Sequence, residues 1–165
     1  MIRIREQFTV ARTPEAVFAY LADFRNEPHW NGGMREVRLL TAGPIGLGSR
    51  FEHLQQPSRT APLTVITSEI TDWEPGELIG LHLSAPIFEA TWRYLLKPEG
   101  KDCSITAELG MRGLGKWRLM EPIMGTFVLR GQFRRAFRQL KAVMEGATKS
   151  ATSNARCRRE MRLGL

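Results

Sequence analysis

The stretch from Trp117 to Glu145, WRLMEPIMGTFVLRGQFRRAFRQLKAVME, sets the tightest limit on what this chain can become. Met120, Met124, Phe127, Gly131, Phe137, Leu140 and Met144 recur mostly at steps of three and four, which predicts one apolar face of a helix. Arg130, Arg134, Arg135, Arg138 and Lys141 fall mostly off that stripe, where they stay solvated. At ~1.5 Å per residue the helix would run on the order of 40 Å, the span of a small domain. Pro122 sits near its start, where a missing N–H costs little. Gly125 and Gly131 weaken helix propensity but allow another group to approach the backbone. A helix of this length must find a broad apolar partner elsewhere in the chain.

The preceding residues supply one. Ile2 to Val10 alternates and reads as a first strand. In ARTPEAVFAYLADF, Thr13 suits a helix N-cap, Pro14 the first helical position and Glu15 the positive end of the dipole. Val17, Phe18, Leu21 and Ala22 form its buried face. Phe24 to Asn31 reads as a second short helix or turn, broken by Gly32-Gly33. Six strand-like runs follow: Met34–Thr41, Ser49–Gln56, Pro62–Trp73, Glu77–Ser84, Phe88–Lys97 and Cys103–Arg112. Turn residues separate them, among them Ala42-Gly43-Pro44, Glu74-Pro75-Gly76-Glu77 and Pro98 to Asp102. Successive hairpins predict an antiparallel meander with the long helix covering one face, an α+β fold.

At 165 residues, 42% hydrophobic and 25% charged, the chain has the size and composition of one soluble globular domain. No run approaches the ~18 apolar residues of a spanning helix, so no integral membrane association is expected. MIRIREQFTV is charged and alternating, unlike a signal peptide, and Cys103 and Cys157 form no CxxC pair. Reduced thiols and a cytoplasmic setting follow as expectations. The formal charge of +7 is concentrated late in the chain. Residues 147–165 carry Lys149, Arg156, Arg158, Arg159 and Arg162 against Glu160, which leaves +3 for residues 1–146. We therefore expect a domain over 1–146 and a basic, disordered tail over 147–165, with no nucleic-acid binding.

Several motifs in this order resemble one family. VARTPEAVFAYLADFRNEPHW, then GLGSRFE, ITDWEPGEL and TWRYLLKPEG, and finally a helix ending in LKAVME, are similar to the START-like (SRPBCC) superfamily, nearest its polyketide cyclase/dehydrase branch. The resemblance spans roughly residues 3–146. It implies a helix-grip fold: a curved seven-stranded antiparallel sheet wrapped around the C-terminal helix, two short helices between the first two strands, and a hydrophobic cavity between sheet and helix. Members include aromatic cyclases, lipid carriers and co-chaperones, so the fold does not name an activity.

Alternation assigns the cavity-facing side chains once one residue per strand is anchored. The expected inward sets are Phe51, His53 and Gln55; Ile66, Ser68 and Ile70; Ile79, Leu81 and Leu83; Trp92, Tyr94 and Leu96; and Cys103, Ile105, Ala107 and Leu109. From these and the helices, the candidate ligand-binding residues are Trp30, Phe51, His53, Gln55, Ser68, Leu81, Trp92, Tyr94, Met120, Met124 and Phe127. Each also has a plain packing role: Trp92 and Tyr94 as core, the methionines as gap fillers, Trp30 as a staple. His53 is the one candidate for acid–base work, and pairing with Ser68 on the next strand is its structural alternative. Glu52 should face outward, His82 is expected to be solvated and His29 to lie in an exposed turn. The loop GPIGLG lacks the Lys-Ser/Thr of a P-loop and is expected to flex at the cavity mouth. Three scattered histidines and two distant cysteines offer no metal-ligand spacing, and no cofactor is implied.

Three functions fit this reading. The first is binding of a hydrophobic or amphipathic small molecule such as a lipid, quinone or polyketide. The second is a cyclase or dehydratase using His53, with Tyr94 or Glu52 in reach. The third is an interaction protein working through the basic helix face and tail, with anionic membrane surfaces or acidic proteins as partners; a homodimer is left open.

Overall fold

The computed structural model describes residues 1–120 and 128–162; for residues 119, 120, 128 and 147–162 it describes the backbone alone. The seven strands are β1 (Ile2–Val10), β2 (Met34–Leu39), β3 (Arg50–Gln55), β4 (Thr64–Glu74), β5 (Leu78–Ala85), β6 (Phe88–Glu99) and β7 (Asp102–Gly113). They form one antiparallel sheet in the order β1-β7-β6-β5-β4-β3-β2. Between β1 and β2 lie α1 (Pro14–Ala22) and a 3-10 helix (Phe24–His29). A second 3-10 helix (Gly115–Met120) precedes the final helix, α2 (Val128–Arg162).

Local chemistry accounts for each element. The Thr13 side chain accepts a hydrogen bond from the Ala16 amide at 3.4 Å, and Pro14 opens α1. Val17, Phe18, Leu21 and Ala22 are its buried face, as the pattern requires. In β7, residues 103, 105, 107 and 109 are buried in strict alternation. The opposite face of the sheet is ionic: Arg93 pairs with Asp72 at 3.0 Å, Arg112 with Glu89 at 2.9 Å and Arg5 with Glu108 at 3.4 Å. Such exposed pairs add little stability but keep that face in water. A depression of about 670 Å³ lies among Arg3, Arg93 and Glu108 there.

The register gives the sheet two unlike ends. At one end stand the start and finish of α1, the β2–β3 loop, and the β4–β5 and β6–β7 turns. Here Val10, Val17, Ile79, Cys103, Ile105 and Leu140 are wholly buried. At the other end stand Met1, the β3–β4 connection, the β5–β6 turn and the finish of β7. Inward-facing Leu83, Phe88, Trp92 and Met111 are only partly buried toward that end. They pack with Leu129 and Phe133 of α2 around a second, smaller apolar cluster of Ile2, Ile4, Ala90 and Leu109. Among the described residues, the concave interior is therefore fully packed beside α1 and less completely covered at its opposite end, here called the open end.

Besides the Phe8–Phe137 ring stack, polar contacts hold α2 to β1 and the residues that follow it. Arg134 pairs with Glu6 at 3.0 Å, Lys141 donates to the Thr9 carbonyl at 2.7 Å, Arg12 donates to the Met144 carbonyl at 3.0 Å, and Glu145 accepts from the Ala11 amide at 3.1 Å. Ala136, Phe137, Leu140 and Met144 are its buried face.

The final helix departs from its sequence reading in two ways. Trp117 belongs to the second 3-10 helix (Gly115–Met120), while α2 is described only from Val128. Gly131 is exposed, off the buried stripe, and Phe133 and Ala136 take part in packing instead. The backbone is also helical beyond Glu145, through Arg162. Pro122, Met124 and Phe127 lie outside the described residues, as does the Met120 side chain.

Candidate functional site

The most concentrated polar chemistry inside the grip is a chain of three side chains. His53 of β3 and Ser68 of β4 point inward by strand alternation, and the Phe51–Ser68 and His53–Ile66 register sets them on a diagonal. His53 Nε2 lies 2.7 Å from Ser68 Oγ, and both residues are buried. On its other side, His53 Nδ1 lies 3.2 Å from Glu27 Oε2. Glu27 is carried by the first 3-10 helix, and its second oxygen accepts from Asn31 Nδ2 at 2.9 Å. That helix is fixed over β3 by Phe24, whose ring meets Phe51 edge-on at 5.2 Å and His53 at 6.2 Å.

The partners set the tautomer. A carboxylate only accepts, so the Nδ1 facing Glu27 carries the proton. In the neutral ring Nε2 then accepts from the Ser68 hydroxyl, and a protonated ring would reverse that last bond. The chain can thus take up or release a proton at Nε2 while Glu27 holds the imidazole plane.

A second group of side chains lies on β6. The Trp92 ring is 5.5 Å from Tyr94, 5.0 Å from Phe133 and 6.1 Å from Phe137. Tyr94 is buried, and its phenol is pushed well above its ordinary 10.0 by desolvation first and by the charge of Glu27 second; the neighbouring Trp92 indole offsets part of the rise. The influence of Glu27 on Tyr94 links β6 electrostatically to the His53 chain across the concave face. The indole N–H of Trp92 is buried, and it makes no hydrogen bond with Tyr94 or any other group among the described residues. A buried donor left unpaired is costly unless another molecule supplies an acceptor.

The other residues singled out from sequence are distributed as follows. Trp30 and Leu81 are buried in the main core, and Gln55 is partly buried at the open end of β3. His29 and His82 are exposed, and Glu52 faces outward, 3.8 Å from Arg38. Cys103 is buried in the closed end, where desolvation pushes its thiol up and away from the reactive thiolate form. The GPIGLG loop lies at the closed end, not at a mouth. Its Ser49 accepts from the Gly46 amide at 2.9 Å, and the Gly48 amide bonds the Ile70 carbonyl at 2.9 Å, which pins the turn. No group of metal-ligating side chains gathers among the described residues.

Glu27 is the member of the chain that sequence reading missed. It lies 26 residues before His53 on a 3-10 turn, where no periodicity marks an inward face. The weak signal available was the capped run Asp23 to His29 directly ahead of the strands. Phe133, which meets Trp92, was missed because the assumed stripe passed through Gly131.

The model of a family described as polyketide cyclase/dehydrase and lipid transport matches residues 1–145. The chain belongs to that family. Similar solved structures agree on the fold. A START superfamily protein from Mycobacterium smegmatis is 15% identical, with a TM-score of 0.75 over 89% of this chain and 99% of that one. A conserved protein from Geobacillus kaustophilus is 16% identical, with a TM-score of 0.71 over 88% of this chain and 97% of that one. The di-domain aromatase/cyclase BexL from the BE-7585A biosynthetic pathway is 15% identical, with a TM-score of 0.62 over 90% of this chain and 47% of that one. A comparison with curated proteins finds no match. Family and fold together suggest a hydrophobic ligand-binding or polyketide cyclase-like protein. No described helix is long and apolar enough to cross a membrane.

Proposed function

We propose that this protein binds a hydrophobic or amphipathic small molecule, of lipid, quinone or polyketide type, through the open end of its grip. The observation that carries the reading is the asymmetry of the interior. One end is fully packed, while at the other inward aromatic and aliphatic side chains stay partly uncovered beside a single buried polar chain. Apolar walls with a few placed polar groups are what small-molecule sites generally offer. The ligand's body would lie against Trp92, Phe133 and Leu83, and its oxygen would meet the Ser68–His53 pair or the Trp92 indole N–H.

Native mass spectrometry of the protein as purified, followed by extraction, tests this directly. A co-purifying apolar molecule, lost on Trp92→Ala, is the expected result. A clean mass with no uptake from a panel of fatty acids, quinones and polyphenols would overturn it.

A second reading, turnover by a cyclase/dehydratase-type enzyme, gains from one observation: Glu27 supplies the orienting partner that His53 lacked in the sequence. Proton abstraction beside a carbonyl, and protonation of a departing hydroxyl, both require such a held imidazole. Under this reading Glu27→Gln lowers turnover of a β-ketone chain with little change in its binding. Equal loss of binding and turnover would count against an acid–base role.

A further inference from the structure

We infer that the open end of the grip is also a docking face for an anionic lipid surface. The inference stands on the distribution of side chains over the two ends of the sheet and does not depend on the ligand reading. Among the described residues six large apolar ones are markedly exposed, and four of them gather at the open end: Met1 (70%), Leu63 (55%), Val65 (46%) and Trp117 (36%). The other two, Leu40 and Leu47, lie on the β2–β3 loop at the far end.

The charges divide the same way. The described connections at the open end, residues 30–33, 56–63, 86–87 and 114–120, contain Arg59, Lys116 and Arg118 and no Asp or Glu. All three cations are exposed, and none of them has an ion-pair partner among the described residues. Glu121, in the adjoining segment, lies outside those residues. The corresponding connections at the opposite end, residues 11–13, 40–49, 75–77 and 100–101, contain Arg12, Glu77 and Lys101. The molecule therefore has one apolar-tipped end whose described connections carry only cations, and one end of mixed charge without that apolar cluster.

This combination selects a bilayer over other polyanions. Nucleic acid would be met by the cations alone and gains nothing from Met1, Leu63 and Val65. A membrane interface rewards both: phosphate headgroups attract Lys and Arg, and aliphatic and indole side chains enter the headgroup boundary. Trp117 is the clearest instance, an exposed indole between Lys116 and Arg118 on the 3-10 helix that leaves β7. Gly113 allows that helix to fold against the sheet end, since a Cβ there would meet the Trp117 backbone at 2.9 Å. Docking in this pose would turn the uncovered interior toward the lipid.

The experiment is co-sedimentation of the full chain with vesicles of phosphatidylcholine alone and of equal parts phosphatidylcholine and phosphatidylglycerol. Binding only to the anionic vesicles, weakened by salt, is expected. The double variant Lys116→Glu/Arg118→Glu should bind at least about tenfold more weakly, each lost cation accounting for about a fivefold change and each added carboxylate opposing binding further. A blue shift of the Trp117 fluorescence on binding, absent from Trp117→Phe, places the indole in the interface. Unchanged circular dichroism shows that the variants are folded. Three outcomes would overturn the inference: no binding to either vesicle, loss of binding on Arg158→Glu/Arg159→Glu in the helical extension but not on Lys116→Glu/Arg118→Glu, or binding to duplex DNA that outcompetes the vesicles.

Discussion

Ser68 and Glu27 occupy the two nitrogens of His53, so the ring has no freedom to choose its tautomer. The same carboxylate raises the energy of a second ionisation, that of Tyr94, whose phenolate would be both desolvated and repelled. The consequence for stability follows from which state releases the proton first. Below pH 10 the phenol is neutral in both folded and unfolded chains and contributes no pH dependence. Above it, the unfolded chain ionises while the folded one cannot until its higher value is reached, so the unfolded state is favoured as pH rises. Cys103 and Tyr20, both raised by burial, act in the same direction, Cys103 from about 9.0 upward. Urea midpoints measured between pH 8 and 11 should therefore fall steadily, and Tyr94→Phe should flatten the part of the fall above 10. An identical slope in the variant would mean that Tyr94 is not the group responsible.

At the scale of elements, Gly80 shows how closely the sheet is fitted. β4 carries a register shift between Ile70 and Asp72, an extra residue that reverses the parity of the strand. Up to Ile70 the inward residues are 66, 68 and 70; beyond the bulge Trp73 turns inward to meet Phe18 edge-on at 4.9 Å, and Asp72 turns out. The Asp72 side chain then crosses Gly80 to reach Arg93 at 3.0 Å. A Cβ at residue 80 would overlap the carboxylate and come within 2.7 Å of the Asp72 Cβ. Gly80→Ala should cost about 1–3 kcal/mol in chemical denaturation, the range of overpacking. Asp72→Gly in the same chain, which removes the Cβ as well as the carboxylate, should restore most of it; an additive double variant would show that the strain lies elsewhere.

This element also marks how far the sequence could be read. All seven strands and α1 were legible, because alternation, β-branched residues and Gly/Pro turns agree with one another along the chain. The inward positions of His53 and Ser68 followed from parity alone. Bulges carry no such signature, so the reversal at Asp72 and the similar shift between Met34 and Glu36 were invisible. Glu27 was hidden for the related reason that a single 3-10 turn is too short for a period. The stripe of α2 was misread at Gly131 because spacing alone admits a residue that the structure leaves exposed, while Phe133 and Ala136 pack instead.

For the whole molecule, the division into a closed and an open end should appear as a gradient of local stability. The closed end has α1 packed across β5, β6 and β7 and a set of fully buried aliphatic side chains. The α2 contacts through Arg12, Thr9 and Glu145 are all made there too. Near the open end, Phe88, Trp92 and Met111 are only partly buried, and an exposed 3-10 helix follows the end of β7. Backbone amides are released by local opening where few apolar contacts resist it. Within β7 itself, hydrogen exchange should therefore be slowest over Cys103 to Ala107 and faster over Met111 to Gly113, although both stretches are paired strand. A bound ligand or an anionic vesicle should slow the second stretch and leave the first unchanged, since the first already opens only with global unfolding. Equal protection along β7 in the free protein would mean that the interior is closed at both ends. The partly uncovered Trp92, Leu83 and Met111 would then be surface residues of a packed core, with no room behind them for a guest.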